Sequence, residues 1–224
     1  MTPRPLLLCG AGGFARETLE LVRAVNRRAP AWEVVGLLDD NPDLHGTRIH
    51  GVEVIGPCEA VHDHTSALVT ACTASPGEPM RRVRLVDRLD LPLDRYATLI
   101  HPAAVVPESA YIEPGSVLHA GTILTADIRL GAHVATMPGV ILTHDVDVGD
   151  GVTFGSAANV AGGVTIERGA YIGAGALLRE GVTVGTGALV GMGAVVTRPV
   201  PAGQVWAGVP ARPWHANDSV GVAR

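Results

Sequence analysis

The second half of the chain repeats its apolar positions every six residues. Stepping by six from Ile100 meets Val106, Ile112, Leu118, Leu124 and Leu130, then Thr136, then Leu142, Val148, Phe154, Val160, Ile166, Ile172, Leu178, Val184, Val190 and Val196. Thr136 is the one polar member. A second row, four places after the first, holds only Ala, Ser, Thr, Val or Ile, as at Ala104, Ser116, Val134, Val152, Ala176 and Val200. With 47% apolar residues overall, chance leaves about half of the first row polar. The pattern therefore predicts a hexapeptide-repeat β-helix, each hexad a short strand plus a turn and three hexads one triangular coil. Large aliphatics stack inside, small residues sit near corners, and residues eighteen apart lie about 4.8 Å above one another. Gly131, Gly149, Gly155, Gly173, Gly185 and Gly191 stand second in their hexads, and are expected where strand gives way to turn and special backbone angles favour glycine. The preceding domain is expected to cover the N-terminal end of the prism, and Pro199, Pro201, Pro210 and Pro213 to stop the repeat at the other.

The first hundred residues follow another pattern. Leu6 to Cys9 reads as a buried strand, followed by Gly10, Gly12 and Gly13 and by helical spacing through Phe14, Leu21, Val22 and Val25. Val34 to Leu38 reads as a second strand ending in Asp39 and Asp40, with a later strand around Leu68 to Ala71 and a helix around Pro79 to Leu89. Strand, glycine turn, helix, strand and acid make a Rossmann-like half, with G-x-G-x-x-A from Gly10 to Ala15. The glycines let backbone N–H groups approach a pyrophosphate at the helix start, and Asp39 or Asp40 meets a ribose or base. One such half has room for a mononucleotide or sugar nucleotide, whereas a dinucleotide normally takes two. Gly10, Gly12, Gly13, Phe14, Asp39 and Asp40 form the candidate substrate-binding set. The expected organisation is an α/β Rossmann-like domain over residues 1–98, an all-β parallel β-helix over 99–201 and a C-terminal tail over 202–224.

Charge and composition remove several classes of function. The net charge is −5, which offers no basic field for a nucleic acid. All 17 cationic residues are arginines, so lysine Schiff-base chemistry and the Walker-type phosphate loop are excluded. Cys9, Cys58 and Cys72 lack metal-ligand or CxxC spacing and read as small buried hydrophobes in a reducing compartment. The apolar run at Leu6 to Cys9 is too short for a secretory segment or membrane span, so a cytoplasmic protein without membrane insertion is expected.

The segments LLLCGAGGFARE, VVGLLDDNP, TLIHPAAVVPESAYIEPGSVL, ILTHDVDVGDGV, the pair Ala161 and Gly162, and WAGVPARPW occur in an order spanning nearly the whole chain. In this the chain resembles the left-handed β-helix sugar-nucleotide N-acetyltransferases of bacterial glycan biosynthesis and their sialic-acid O-acetyltransferase relatives. The resemblance implies a left-handed coil, a homotrimer, an N-terminal domain holding a nucleotide-sugar acceptor such as a UDP-linked amino sugar, and acetyl-CoA in a groove between neighbouring β-helices. It implies that His144 is the general base and that the backbone N–H of Gly162 meets the oxyanion. Asp145 is the nominal partner of His144, with Asp147 or an acid from a neighbouring subunit as alternatives. It further suggests that Gly162, Gly173 and Gly191 meet acetyl-CoA and that Arg212 meets a CoA phosphate.

His144 is third in its hexad, belongs to neither interior row and is expected to project outward. An amine or hydroxyl attacking a thioester must lose a proton, which an imidazole accepts near neutral pH, while a carboxylate orients the ring. Neither Ser nor Cys adjoins His144, which favours direct attack over an acyl-enzyme. Some relatives have His at the positions of Phe14 and Thr153 and Asn at Met137, so the acceptor, and N- versus O-acetylation, stay open, as does a non-catalytic sugar-nucleotide-binding scaffold. His101 and His119, eighteen apart on one outer face, invite with His133 a zinc reading like that of trimeric β-helix carbonic anhydrases. The differing hexad positions of His133 and His144 argue against it, and no metal is expected.

Overall fold

The run Leu6 to Cys9 carries no charge and no polar side chain, and in the computed structural model, which describes residues 2–214, each of its residues is fully buried. It belongs to β1 (Arg4–Cys9), a central strand of the N-terminal sheet, followed by α1 (Gly13–Arg28), β2 (Trp32–Leu38), β3 (Arg48–Ile49), β4 (Val52–Gly56), β5 (Leu68–Ala71) and α2 (Arg81–Leu89). The sheet order is β3-β4-β2-β1-β5, parallel except for the β3–β4 hairpin. The short pair β3 and β4 carries no strong periodicity and was not foreseen. Among the described residues no helix is long and apolar enough to cross a membrane.

From Leu99 the chain forms two-residue strands on three flat faces, one of eight strands and two of five. Strand pairings from Leu99 to Val196 join residues eighteen apart, such as Arg129 with Asp147 and Asp147 with Thr165, and the step shortens to sixteen where Val184 meets Val200. Both rows lie inside, as Leu142, Val148, Phe154, Val146 and Val152 illustrate, each at most 1% exposed. Thr136 is buried too, and its hydroxyl meets that of Thr122 at 2.8 Å, so the polar break pairs internally. Val205–Ala207 extends the eight-stranded face and pairs with Arg212–Pro213. Part of the expected tail, 205–207 and 212–213, thus joins the sheet; its last residues, 215–224, lie outside the described residues.

Two kinds of glycine serve the coil, and the expectation for one of them needs correction. The left-handed corner position is fourth in the hexad, filled by Gly139, Gly151, Gly163, Gly169, Gly175 and others with φ between 63° and 83°. The glycines second in the hexad have no positive φ; a side chain there has no room. A Cβ on Gly155 would lie 2.5 Å from the backbone nitrogen of Ala174, and one on Gly173 2.5 Å from that of Met192, each in the next coil. The close stacking of parallel coils excludes the atom.

The N-terminal domain covers a flank of the prism instead of its end. Leu99, Val117 and Ala135, which point outward from the eight-stranded face, are buried with Phe14, Leu21 and Val22. At the first coil Ile100 remains 37% exposed and Tyr111 57%. Helix α2 lies along one corner, where Met80 and Val83 occupy the space a side chain would need at Gly151 and Gly169. Arg168 pairs with Asp87 of α2 at 2.7 Å. Arg82 is buried in the seam; its Nη1 donates to the carbonyls of His133 (3.1 Å) and Val152 (3.4 Å), and its guanidinium lies 5.2 Å from the centre of the Phe14 ring. Burial lowers its pKa to about 10.

His119 and His133 are also enclosed here, so of the predicted outer pair His119 faces out of the prism but is covered by the N-terminal domain, while His101 stays partly exposed. Each is 5% exposed, and burial lowers each pKa to about 4, aided at His119 by His101 and at His133 by Arg82. His119 packs on Phe14 at 5.9 Å and His133 edge-on against Tyr96 at 4.4 Å.

Gly155→Ala is expected to cost about 1–3 kcal/mol by overpacking, with Gly155→Asn worse than Ala. Gly175→Ala, at a left-handed position with open space around it, costs about 1–2 kcal/mol, with Asn recovering part of the loss. Urea unfolding of the four variants checks the contrast. Because both histidines are held neutral, with folded pKa values below the ordinary ~6.5, their stabilisation is complete above that pH and is lost as pH falls from about 6.5 towards 4. Unfolding midpoints between pH 7.5 and 4.5 should fall accordingly, with a shallower slope in a His119→Asn, His133→Asn double variant.

Candidate active site

The strand Ile141–Leu142 sends Leu142 inward, and the chain then turns a corner whose two outermost residues are His144 and Asp145. Asp145 takes the left-handed position with φ 59°, which Asp tolerates better than most non-glycine residues. The corner is fixed by its neighbours in the ladder. Asp145 N–H donates to the Ala126 carbonyl at 3.1 Å, and Gly163 N–H donates to the His144 carbonyl at 3.0 Å.

This backbone brings the adjacent side chains together. His144 Nδ1 lies 2.8 Å from Asp145 Oδ2, with both side chains about two-thirds exposed at 66% and 67%. Asp145, rather than Asp147, makes the contact within the chain. With Nδ1–H directed at the carboxylate, Nε2 is left as an acceptor. The ring rests on Gly162 one coil away: a Cβ there would sit 2.6 Å from Nε2 and closer still to Cε1. Gly162 N–H has no hydrogen-bond acceptor among the described residues, as is common at third-position corners, where the repeat ladder does not reach. A shallow groove of about 270 Å³ is walled by Ile141, Thr143, Asn159, Ala161 and Leu177; it reaches the residues that precede His144 and Gly162, but His144, Asp145 and Gly162 do not themselves line it.

Gly173, Gly191 and Arg212 do not line this groove. The N–H groups of Gly173 and Gly191 donate to Val190 and Trp206 carbonyls at 2.8 and 2.7 Å, so the ladder already uses them. Exposed Arg212 turns back on the Ala211 carbonyl at 2.7 Å.

On the N-terminal domain, Gly10, Asp39 and Asp40 meet in a pocket of about 660 Å³. Gly10 has φ 117°, and a Cβ there would lie 2.5 Å from the Cys72 carbonyl oxygen. Asp39 accepts from Ala11 N–H at 2.8 Å and Asn41 N–H at 2.9 Å. Asp40 accepts from Cys58 N–H at 3.0 Å and Arg88 at 2.5 Å. Burial pushes the Asp40 carboxyl up, but these bonds outweigh it and leave the pKa lowered. Gly12 and Gly13 are exposed at the start of α1 and do not line the pocket, and Phe14 is turned into the seam. Met137 and Thr153, the other departures from relatives, lie in or beside the same covered seam.

The sequence reading missed the far wall of this pocket, where Arg81, Arg84 and Arg88 project from α2 with Thr73 and Glu78 nearby. Their i, i+3, i+7 spacing was the available signal. No cluster of three or more His, Cys, Asp or Glu able to hold a metal occurs among the described residues.

A stacked-coil transferase with an imidazole–carboxylate pair on an outer corner is the class that fold and site define, and comparisons with known proteins make the assignment specific. The PglD N-terminal domain family matches residues 5–89, the bacterial transferase hexapeptide (six repeats) family residues 163–198, and the hexapeptide repeat of succinyl-transferase family residues 145–180. The acetyltransferase domain of PglB from Neisseria gonorrhoeae, solved with acetyl coenzyme A, is 30% identical with a TM-score of 0.82, over 95% of this chain and 100% of that one. WeeI from Acinetobacter baumannii is 31% identical with a TM-score of 0.78, over 93% and 99%. PerB from Caulobacter crescentus, solved with CoA and GDP-perosamine, is 28% identical with a TM-score of 0.82, over 94% and 97%. No curated protein matches. The chain belongs to the left-handed β-helix sugar acetyltransferase family and is an acyltransferase.

Gly162→Ala should displace the His144 ring, because the added methyl needs the space the imidazole occupies. A changed ring position in a crystal structure, with the coil intact by circular dichroism, checks this.

Proposed function

We propose that this protein transfers the acetyl group of acetyl-CoA to the amino group of a nucleotide-linked amino sugar, with His144 as general base and direct attack of the amine on the thioester. The observation that carries the reading is the 2.8 Å contact between His144 Nδ1 and Asp145, on an exposed corner beside an open groove. Nε2 accepts the proton that the amine loses as the new bond forms, and Asp145 stabilises the resulting imidazolium. The Gly162 N–H, which has no acceptor among the described residues, is free to donate to the oxyanion in this scheme. The three cysteines are buried in the N-terminal domain, away from His144, which supports transfer without an acyl-enzyme.

Residues 1–98 hold the acceptor in this scheme and residues 99–201 carry out transfer. No β-helix residue lines the large pocket, and no pocket residue lines the groove. That separation supports a homotrimer in which the acceptor held by one protomer meets His144 at a boundary with its neighbour. The apolar Met192 (81% exposed) and Leu177 (46%) are available to such a boundary. PglB with acetyl coenzyme A and PerB with CoA and GDP-perosamine support the donor and the nucleotide-sugar class. Both substrates are cytoplasmic metabolites, and the reaction is assigned to that compartment.

Thiol release from acetyl-CoA across a panel of amino-sugar nucleotides and sialic acids tests the reading, with turnover expected on an amino-sugar nucleotide. His144→Ala should lower kcat by about 10²–10⁴ while the protein stays folded, and Asp145→Asn should lower it less. Near-normal turnover in His144→Ala would remove the base from the mechanism.

A further inference from the structure

The large pocket on the N-terminal domain carries four acids and three bases, and the pairing among them leaves one base without a partner among the described residues. Its acids are Asp39, Asp40, Glu78 and Asp87, and its bases are Arg81, Arg84 and Arg88. Each acid already has a partner. Asp39 accepts two backbone N–H groups, Asp40 is bound by Arg88 and Cys58 N–H, Glu78 by Arg84, and Asp87 by Arg168 from the β-helix. Arg88 also reaches Glu59 at 2.8 Å. Arg81 makes no salt bridge and no side-chain hydrogen bond among the described residues.

The glycine turn cannot supply the missing donors to an anion here. Gly10 N–H is bound to the Leu38 carbonyl at 2.6 Å, Ala11 N–H is bound to Asp39, and Gly12 and Gly13 lie outside the pocket. Of the three guanidiniums on the pocket walls only that of Arg81, at the first turn of α2, has no partner among the described residues, and the hydroxyl of Thr73, just past β5, is unpartnered as well. No acidic residue lies in that first turn of α2 to oppose an anion. A guanidinium presents a planar fork that matches two phosphate oxygens.

We propose that Arg81 is the phosphate anchor of the acceptor pocket: it grips the diphosphate that joins nucleoside to sugar and makes the pocket select diphosphate-linked sugars over neutral ones. The assignment rests on the nucleotide-sugar reading above and adds to it the residue and the charged group it recognises. Arg81 is remote from the reacting atoms, so its contribution is uniform binding, felt in KM for the acceptor and not in kcat.

Calorimetric titration of the full chain with UDP, GDP, uridine, guanosine and inorganic pyrophosphate tests this. Wild type should bind a nucleoside diphosphate far more tightly than its nucleoside and should bind pyrophosphate measurably. Arg81→Gln should weaken diphosphate and pyrophosphate binding about ten- to hundredfold, the range of a lost hydrogen bond to a charged group, while leaving nucleoside affinity unchanged. Arg81→Lys should recover part of the loss. Acceptor KM should rise with kcat constant, and the thermal midpoint should not move, since this exposed side chain holds nothing in place. Arg23→Gln, on α1 and outside the pocket, is the control for a general charge effect. Diphosphate binding by Arg81→Gln within twofold of wild type overturns the anchor and leaves the nucleotide-sugar reading standing. Failure of wild type to bind any diphosphate overturns both.

Discussion

Each coil of the prism is hydrogen-bonded to the coil eighteen residues away, and that ladder constrains nearly everything else in the molecule. Parallel strands held at one spacing give the interior a column of aliphatic side chains and leave no room for a Cβ at the second position of many hexads. The same ladder clamps the backbone of the His144 corner through Ala126 on one side and Gly163 on the other. The direction of the imidazole is thus a property of the register. A stack of short strands needs no helix or long loop to aim a side chain.

The N-terminal domain is tied to this rigid prism through α2, which serves two surfaces at once. One side lays Met80 and Val83 over the corner glycines and sends Arg82 into the seam, and the other turns arginines towards the large N-terminal pocket. Arg82 has no carboxylate partner there; two carbonyls and an aromatic face surround it. Two neutral histidines complete the enclosure, so the seam combines apolar packing with polar groups that water does not reach.

The coil was legible because its signal is redundant: few folds besides a stacked coil place aliphatics at a fixed six-residue step over so many turns. His144 and Asp145 were legible as a motif, and their mutual contact followed once the corner geometry was known. The six-residue pattern did not distinguish a glycine needed for φ from one needed for clearance, since both recur at the same period. Gly155 and Gly163 separate only when the neighbouring coil is in view. The burial of His119 was likewise invisible, because nothing local says which flank the other domain will cover. Arg81 escaped notice for a related reason. Its meaning lies in what Arg84, Arg88 and four acids do with one another, which is a matter of pairing in space.

Asp145 occupies a corner position that glycine fills one and two coils further on, at Gly163 and Gly181. An aspartate there holds a backbone conformation that glycine adopts freely, so the acid is retained against a local conformational penalty. On the proposed mechanism, folding and turnover therefore pull this single rung in opposite directions. Engineering the scaffold for heat resistance alone will favour glycine at 145, and the resulting protein will be sturdier while leaving its imidazole without an orienting carboxylate.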